Sequence, residues 1–515
     1  MALEKESSKD TPASSHIGSV STAVETTSSG GPLAFAALAA PDLNQDVAQH
    51  GRWPKGWKPW VTLISGFLLM FNSWGYINAY GTYATLYKSE TVPHQWFLSI
   101  AMIGGTQEFL VLLLSMIVGR LVDANHHAKV ITIGTILVAL GMFLQTVVHA
   151  QKPDSQTTTF ALLWLTQGFI TGLGMSCFFV TSSQVVATWF VEAKSFAVGV
   201  VACGASVGGT IYSVMLKYLE VELGAWRATA CVAAVMVLTS IATIVFARPN
   251  PNTKHENSLE WRWSTFWDRE AFNNAAYTWF VTGFAFMFTG FYPIFFTLEE
   301  WATESSIGYR GRFRPENLPS SAMATFALLA IMNGSSFLGR VSSATISDML
   351  GSKHGALHVH AVVTGICTIL VLVMWPLTKT TAVAVGFVLV FGAFSGSVIA
   401  LPPASVAYII GKHNQQGQKK LGQWVGMMYT LASLPAIAGV VVSGLLVDLT
   451  GSFLPTQLFC GGCFAVATVC MGMAIWHKHR EMGGMLEGTV VMETKEHTEV
   501  ARSGSSSMTL VERVV

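Results

Sequence analysis

Twelve apolar segments, each about as long as a membrane-spanning helix, follow one another along the chain. A helix needs roughly 20 apolar residues to cross the ~30 Å hydrocarbon core of a bilayer. Only 11% of the residues are charged, against about 25% in an average soluble domain, which leaves too little polar surface for a soluble globule. The sequence therefore predicts an all-α membrane protein with twelve transmembrane helices, at residues 60–85, 95–118, 129–150, 159–182, 195–218, 226–247, 274–298, 321–347, 356–377, 381–408, 421–447 and 453–476.

Polar stretches divide the chain into five parts. Residues 1–52 and 479–515 are polar, and we expect them to be disordered cytosolic tails because they can bury little apolar surface. Residues 53–247 and 274–478 each hold six apolar segments and are predicted to form two six-helix bundles. The linker between them, residues 248–273, mixes aromatic and charged residues, a composition that suits a helix lying at the membrane interface.

The distribution of Lys and Arg predicts the orientation in the membrane. These residues flank the segments in a roughly twofold excess on one side, which is the cytosolic side by the positive-inside rule. Both termini are then cytosolic. The basic cluster Arg310–Arg314 falls on the outer side, but it belongs to a long loop, and long loops are translocated largely regardless of charge.

The two halves repeat one motif. Gly119-Arg120-Leu-Val-Asp123 ends the second segment and Ser347-Asp348 ends the eighth, so each half has an Asp at the cytosolic end of its second helix. Such a carboxylate can cap the N-terminus of a neighbouring helix. We expect Arg120, Asp123 and Asp348 to form a cytosolic gate that stabilises the outward-open state, although a solvated surface charge is the alternative.

Further motifs follow in a fixed order along the chain: Gly199–Gly209, rich in glycine, then Gly224-Ala-Trp226-Arg227, Asn333-Gly-Ser-Ser336-Phe-Leu-Gly339-Arg340 and Asp448-Leu-Thr450-Gly451. Together with the repeated Asp motif, they resemble the major facilitator superfamily and, within it, the fungal monocarboxylate-transporter-like branch. The resemblance covers about residues 57–476. It implies the major facilitator fold, with alternating access around a site between two helical bundles, and a place in the plasma membrane.

The chain departs from the family's proton-coupled lactate carriers at the residues that matter for their substrates. Those carriers have a Lys where this chain has Asn78, and an Asp where it has Ser336, four residues before Arg340. Pro54–Trp57 replaces an acidic-Gly-Gly start of helix one, and Val440–Val442 replaces a Pro pair in helix eleven. The fold inference is unaffected, but lactate-type substrates and the usual proton relay do not carry over directly.

Two ionisable side chains lie well inside the predicted helices, where charges are costly and often functional. Arg340 can hold a substrate carboxylate in bidentate contact; the alternative is that it reaches the cytosolic interface or braces Asp348. Glu108 can carry a coupling proton, because burial disfavours its charged form, or can be a structural carboxylate between the halves. The other candidates for substrate binding are Asn78, Gln167, Tyr292, Asn333 and Tyr429.

The predicted function is transport. The sequence has no recognisable catalytic motif or ATP-binding loop and no metal-ligand spacing, so we expect neither an enzyme nor a cofactor or metal. The net charge of +1 gives no indication of nucleic-acid binding. We predict secondary active transport of a small organic solute, a monocarboxylate or related amphipathic metabolite, by a monomer in the lipid bilayer, with protons as symported partners. An efflux pump for a secondary metabolite and a non-transporting nutrient sensor stay open.

Overall fold

The structure is a computed structural model that describes residues 53–151, 155–190, 194–252, 266–309, 323–349, 355–411, 414 and 420–481. The predicted N-terminal tail lies outside these residues, as do residues 253–265 of the linker and residues 482–515 of the C-terminal tail. The predictions for those segments therefore stay predictions.

Long helices account for most of the described residues. They are α1 (Lys58–Asn78, continued by Tyr80–Leu86), α2 (Phe97–Leu113, continued by Ser115–Asp123), α3 (His127–Gln151), α4 (Gln156–Ala187), α5 (Lys194–Leu223), α6 (Ala225–Phe246), α7 (Ala275–Glu304), α8 (Thr325–Met349), α9 (Ala356–Met374), α10 (Thr381–Ala400, followed by Pro402–Ile410), α11 (Leu421–Thr450) and α12 (Leu454–Glu481). A 3-10 helix, Arg269–Asn273, precedes α7. Two short parallel strands, β1 (Gly308–Tyr309) and β2 (Met323–Ala324), pair between α7 and α8.

The helices confirm the predicted all-α membrane fold. Within the described residues, ten helices are long and apolar enough to cross a membrane, and the bent pair that forms α2 is an eleventh. Helix α8 is 25 residues long but less apolar, because it carries Asn333 and Arg340. Large apolar side chains such as Phe143, Leu238 and Leu434 are exposed on the outside of the structure, as a lipid-facing surface requires.

Several helices run past their predicted ends, for example α4 to Ala187, α5 to Leu223 and α12 to Glu481, and α7 and α10 show features that bear on the site. Helix α7 was expected to end at residue 298 but continues to Glu304, because apolar residues resume after Glu299 and Glu300. Both carboxylates consequently lie inside the helix. Helix α10 breaks at Leu401, and Pro402 begins the next helix; a proline is tolerated there because the first turn of a helix has no backbone partner for its N–H.

Short π-helical segments occur in several of the helices. They include Phe71–Gly75 in α1, Tyr87–Thr91 directly after it, Trp164–Thr171 in α4 and Leu370–Met374 at the end of α9. Such segments change the direction of the side chains that follow and are frequent at functional sites. The segment in α1 contains Asn72 and Trp74, and the segment in α4 contains Gln167, so both lie next to the polar and aromatic groups of the interior.

The helices pack closely through glycine. Helix α2 lies along α11 and α5 along α8, which joins the first six helices to the last six; α8 also packs on α10. A Cβ atom at Gly339 would lie 1.7 Å from the backbone oxygen of Ala393, and one at Gly396 would lie 2.0 Å from that of Ser336. Small residues allow such contacts in lipid, where apolar burial does little to hold helices together. The grouping into two six-helix bundles stays a prediction.

Candidate functional site

A cluster of six aromatic rings occupies the interior between α1, α4, α7 and α11. Trp74 stacks on Tyr292 with ring centres 5.3 Å apart, and Phe179 lies edge-on to Trp74 at 5.3 Å and to Tyr429 at 5.1 Å. Phe284 and Phe288 of α7 complete the set, which we call the central aromatic cluster. The cluster brings Tyr292 and Tyr429, two predicted site residues, onto the same surface.

Arg340 is a buried cation beside this cluster. Arg340 is only 5% exposed, and its Nε atom has no hydrogen-bond partner among the described residues. The side chains of Cys203, Tyr292 and Tyr429 lie within electrostatic range of the guanidinium. An unpaired buried charge is costly, so Arg340 is chemically suited to receive an anion.

Glu108 is the second buried ionisable candidate and lies in α2. It is fully buried, and neither carboxyl oxygen has a hydrogen-bond partner among the described residues. Tyr292 interacts electrostatically with both Glu108 and Arg340. Both predicted charged candidates thus lie within electrostatic range of one aromatic residue, and Glu108 has no ion-pair partner within the described part of the chain.

Gln167 belongs to a neutral hydrogen-bonded network between α1, α3 and α4. The Tyr87 hydroxyl donates to Gln167 Oε1 at 2.5 Å, and Gln167 Nε2 donates to the Tyr76 hydroxyl at 3.1 Å. Gln145 Nε2 in turn donates to the Tyr87 hydroxyl at 3.0 Å. Every member is fully buried, so the network fixes the C-terminal half of α1, with Tyr87 directly after it, against α3 and α4.

Asn78 and Asn333 meet where α1 crosses α8. The side-chain amide of Asn333 donates to the backbone oxygens of Leu329 at 3.1 Å and Asn78 at 3.4 Å. The Oδ1 atom of Asn333 has no hydrogen-bond partner among the described residues. Ser336, where the lactate carriers have Asp, shares a 2.5 Å hydrogen bond with Ser206 of α5 and therefore joins two helices instead of facing Arg340 with a charge.

A buried acidic group near the ends of α1, α5 and α7 was missed from the sequence. Thr82 donates a 2.5 Å hydrogen bond to Glu299, and both residues are almost fully buried. Lys217 and Glu220 of α5 form an ion pair of 2.9 Å nearby, which interacts electrostatically with Glu299. Glu299 was missed because the predicted seventh helix ended one residue too early to contain it.

The predicted gate is described only in part. Asp123 pairs with Arg120 at 3.6 Å and accepts a hydrogen bond from Gln184 of α4 at 3.3 Å. The side chain of Asp348 lies outside the described ones. The role of these three residues in gating stays a prediction.

The end of the linker is fastened to the start of α11. Asp268 Oδ2 accepts a hydrogen bond from the indole of Trp424 at 3.0 Å and forms an ion pair with Lys420 at 3.0 Å. Partial burial acts to raise the pKa of the Asp268 carboxyl, but these bonds outweigh it and hold the pKa below its ordinary value. The same contacts raise the pKa of Lys420, mainly through its hydrogen bonds to Glu270 and Asp268. The linker is thereby held to the second set of helices.

The sequence is similar to those of fungal transporters. An MFS-type transporter of Gibberella zeae is 27% identical over 444 residues, which cover 85% of this chain and 91% of that protein. The aspyridones efflux protein apdF of Emericella nidulans is 27% identical, covering 78% of this chain and 75% of its own. The narrower resemblance to the monocarboxylate-transporter-like branch is not confirmed by these relatives.

Solved structures and a family model also match transporters, as the fungal relatives do. The outward conformation of the transporter FucP matches with a TM-score of 0.52 at 15% identity, covering 80% of this chain and 98% of FucP. A bacterial homologue of the iron transporter ferroportin matches with a TM-score of 0.54 at 13% identity, covering 82% of this chain and 98% of its own. These two similarities show the fold. The model of the Major Facilitator Superfamily matches residues 62–418, and the protein is therefore a member of this superfamily of transporters.

Proposed function

We propose that the protein transports an amphipathic organic acid that contains at least one ring, by alternating access. The observation that carries the proposal is the position of Arg340, buried without a described ion-pair partner beside the central aromatic cluster. Arg340 would bind the carboxylate through charge-assisted hydrogen bonds, and the rings of the cluster would pack on the apolar part of the solute. A small aliphatic acid such as lactate would leave most of this aromatic surface uncovered.

Glu108 is the candidate for proton coupling. Its carboxyl group is buried and has no described hydrogen-bond partner, so its ionised form has no described cation to stabilise it. Tyr292 lies within electrostatic range of both Glu108 and Arg340, so we expect an anion bound to Arg340 to influence the proton on Glu108 through the electric field of the site. Protonation of Glu108 together with binding of the anion would keep the loaded site close to neutral, as movement through a low-dielectric interior requires.

Export of a secondary metabolite is the second candidate function, and it differs in direction. It is favoured by the aromatic cluster, which suits large ring systems, and by the name of the Emericella nidulans relative, an efflux protein for aspyridones. In this case the solute would leave the cell in exchange for entering protons, in place of the proton symport predicted from the sequence.

Counterflow in proteoliposomes tests the substrate class. Purified protein would be loaded with unlabelled 4-hydroxybenzoate and supplied with a labelled solute outside: lactate, 4-hydroxybenzoate, or its neutral analogue 4-hydroxybenzyl alcohol. We expect uptake of the aromatic acid to exceed that of both others, because only this solute offers a carboxylate and a ring. Protein-free vesicles correct for passive permeation.

An Arg340→Ala variant is the matched control, since it removes the cation and leaves the aromatic cluster in place. Equal uptake of the acid and the alcohol by the wild-type protein would contradict the proposed role of Arg340. Binding of the acid without any counterflow would indicate a sensor instead of a transporter.

A further inference from the structure

Asp448, at the end of α11, caps the first turn of α2. Its Oδ1 atom accepts a hydrogen bond from the backbone N–H of Phe97 at 2.8 Å, and its Oδ2 atom accepts one from Leu98 at 2.8 Å. The residue before the helix, Trp96, provides no side-chain cap of its own. The N-terminus of α2 is therefore capped by a residue that lies 351 positions further along the chain.

The contact joins the first six helices to the last six at one end of the structure. The topology predicted from Lys and Arg places the start of α2 and the end of α11 on the outer side of the membrane, and we call this the outer end. At the same end, α1 meets α7: Gly81 is so close to the backbone of Phe295 that a Cβ atom would lie 2.5 Å from its oxygen, and Thr82 bonds to Glu299. Two separate helix contacts thus join the two sets of helices at this end.

The two hydrogen bonds to Asp448 are strong, but separation of the two helices would break both at once. A carboxylate at a helix N-terminus forms charge-assisted hydrogen bonds and interacts favourably with the positive end of the helix dipole. Next to it, Gly444 packs against Leu98, where a Cβ atom would lie 2.7 Å from the Leu98 Cα. If the outer ends of α2 and α11 separate, both hydrogen bonds are lost together, and the two N–H groups must find water.

We propose that Asp448 is an outer latch: by capping α2 across the two sets of helices, it stabilises the outward-closed state and is released when the transporter opens outward. The sequence predicts that Asp123 and Asp348 form gating contacts of this kind at the cytosolic end, and Asp448 would form the corresponding contact at the outer end. The inference rests on the alternating access of the proposed function but not on the identity of the solute. Loss of the cap shifts the equilibrium towards the outward-open state.

Hydrogen–deuterium exchange of the purified protein in lipid nanodiscs tests the cap directly. In Asp448→Ala, the amides of Phe97 and Leu98 should exchange roughly five to thirty times faster than in the wild type, the range expected for loss of a helix cap. Asp448→Asn keeps one acceptor oxygen, so its exchange rates at Phe97 and Leu98 should lie between those of the wild type and of Asp448→Ala. This variant gives a second readout if the Ala variant folds poorly. Glu222→Gln removes an exposed carboxylate at the end of α5 and should leave these amides unchanged.

Pulsed electron paramagnetic resonance tests whether the cap is also a latch. Spin labels at Glu90→Cys and Ser305→Cys, exposed positions at the outer ends of α1 and α7, report the separation of these helices, and protein without the two introduced cysteines reports labelling of the native ones. Asp448→Ala should shift the distance distribution towards longer values. Unchanged exchange at Phe97 and Leu98 would overturn the cap, and faster exchange with an unchanged distance distribution would overturn the latch. Neither readout uses a solute, so a wrong substrate class leaves the test intact.

Discussion

Replacing Arg340 should weaken binding of an organic acid in a graded way. The guanidinium is buried beside Tyr292 and Tyr429 without a described ion-pair partner, so all its capacity to bind an anion is available to a solute. A hydrogen bond to a charged group contributes about 1.5–3 kcal/mol net, and Arg can donate two to one carboxylate. Arg340→Lys keeps the charge but loses one bond, which corresponds to a dissociation constant about 10- to 150-fold higher.

Arg340→Gln removes the charge as well and should bind more weakly still. The dissociation constant for 4-hydroxybenzoate would be measured by equilibrium binding to detergent-solubilised protein, with 4-hydroxybenzyl alcohol beside it. Wild type should prefer the acid, and Arg340→Gln should bind acid and alcohol alike. Arg227→Gln, at an exposed position of α6, is the matched control and should leave both constants unchanged. Lys or Gln variants with wild-type affinity for the acid would refute the assignment of Arg340 as the anion site.

Three further predictions concern stability, each checked by the thermal unfolding midpoint in detergent. Gly396→Ala places a Cβ 2.0 Å from the Ser336 backbone oxygen and should destabilise the fold by about 1–3 kcal/mol, whereas Gly386→Ala, whose nearest neighbour would be a side-chain atom at 3.5 Å, should be neutral or slightly stabilising. Gln167→Leu removes the acceptor of the buried Tyr87 hydroxyl and a donor to the Tyr76 hydroxyl, while Gln145 still contacts both, and should cost about 1–3 kcal/mol; an unchanged midpoint would contradict the network. Asp268→Asn should cost about 1 kcal/mol or less, because Lys420 is 41% exposed and such pairs are screened by water. Because the pKa of Asp268 is lowered in the folded protein, its ionised form adds stability that is fully present above the ordinary carboxyl pKa. This stability is lost as the pH falls through the lowered pKa, so the Asn variant should not show that loss in acid.

The membrane fold could be predicted because each transmembrane helix has its own local signal. The lengths of the apolar segments alone locate most helices. The glycines of α8 and α10 are also visible in the sequence without knowledge of the helices they pack against. Helix ends were less predictable: Glu299 looks like the end of a span, but apolar residues after it continue α7 to Glu304. Only the packing against α1 explains how such a carboxylate is accommodated, since Thr82 hydrogen-bonds to it.

The site could be predicted residue by residue but not as an arrangement. Arg340 and Glu108 are visible in the sequence as charges inside apolar helices. That Tyr292 lies within electrostatic range of both follows only from how α2, α7 and α8 pack. The cap on α2 is a similar case. Asp448 looks like an ordinary helix-end residue, and its partners Phe97 and Leu98 are 351 and 350 positions away, beyond the reach of any local pattern.

The coupling of solute flux to protons is measured most directly in proteoliposomes with an imposed pH gradient. A gradient of one pH unit supplies about 1.4 kcal/mol per proton, enough to alter the protein-dependent initial rate of 4-hydroxybenzoate flux several-fold in the wild type. In Glu108→Gln, which keeps the side-chain shape but cannot ionise, we expect counterflow to persist and the response to the gradient to vanish. Wild-type flux that ignores the gradient, or a Glu108→Gln variant that still responds to it, would contradict proton coupling through Glu108.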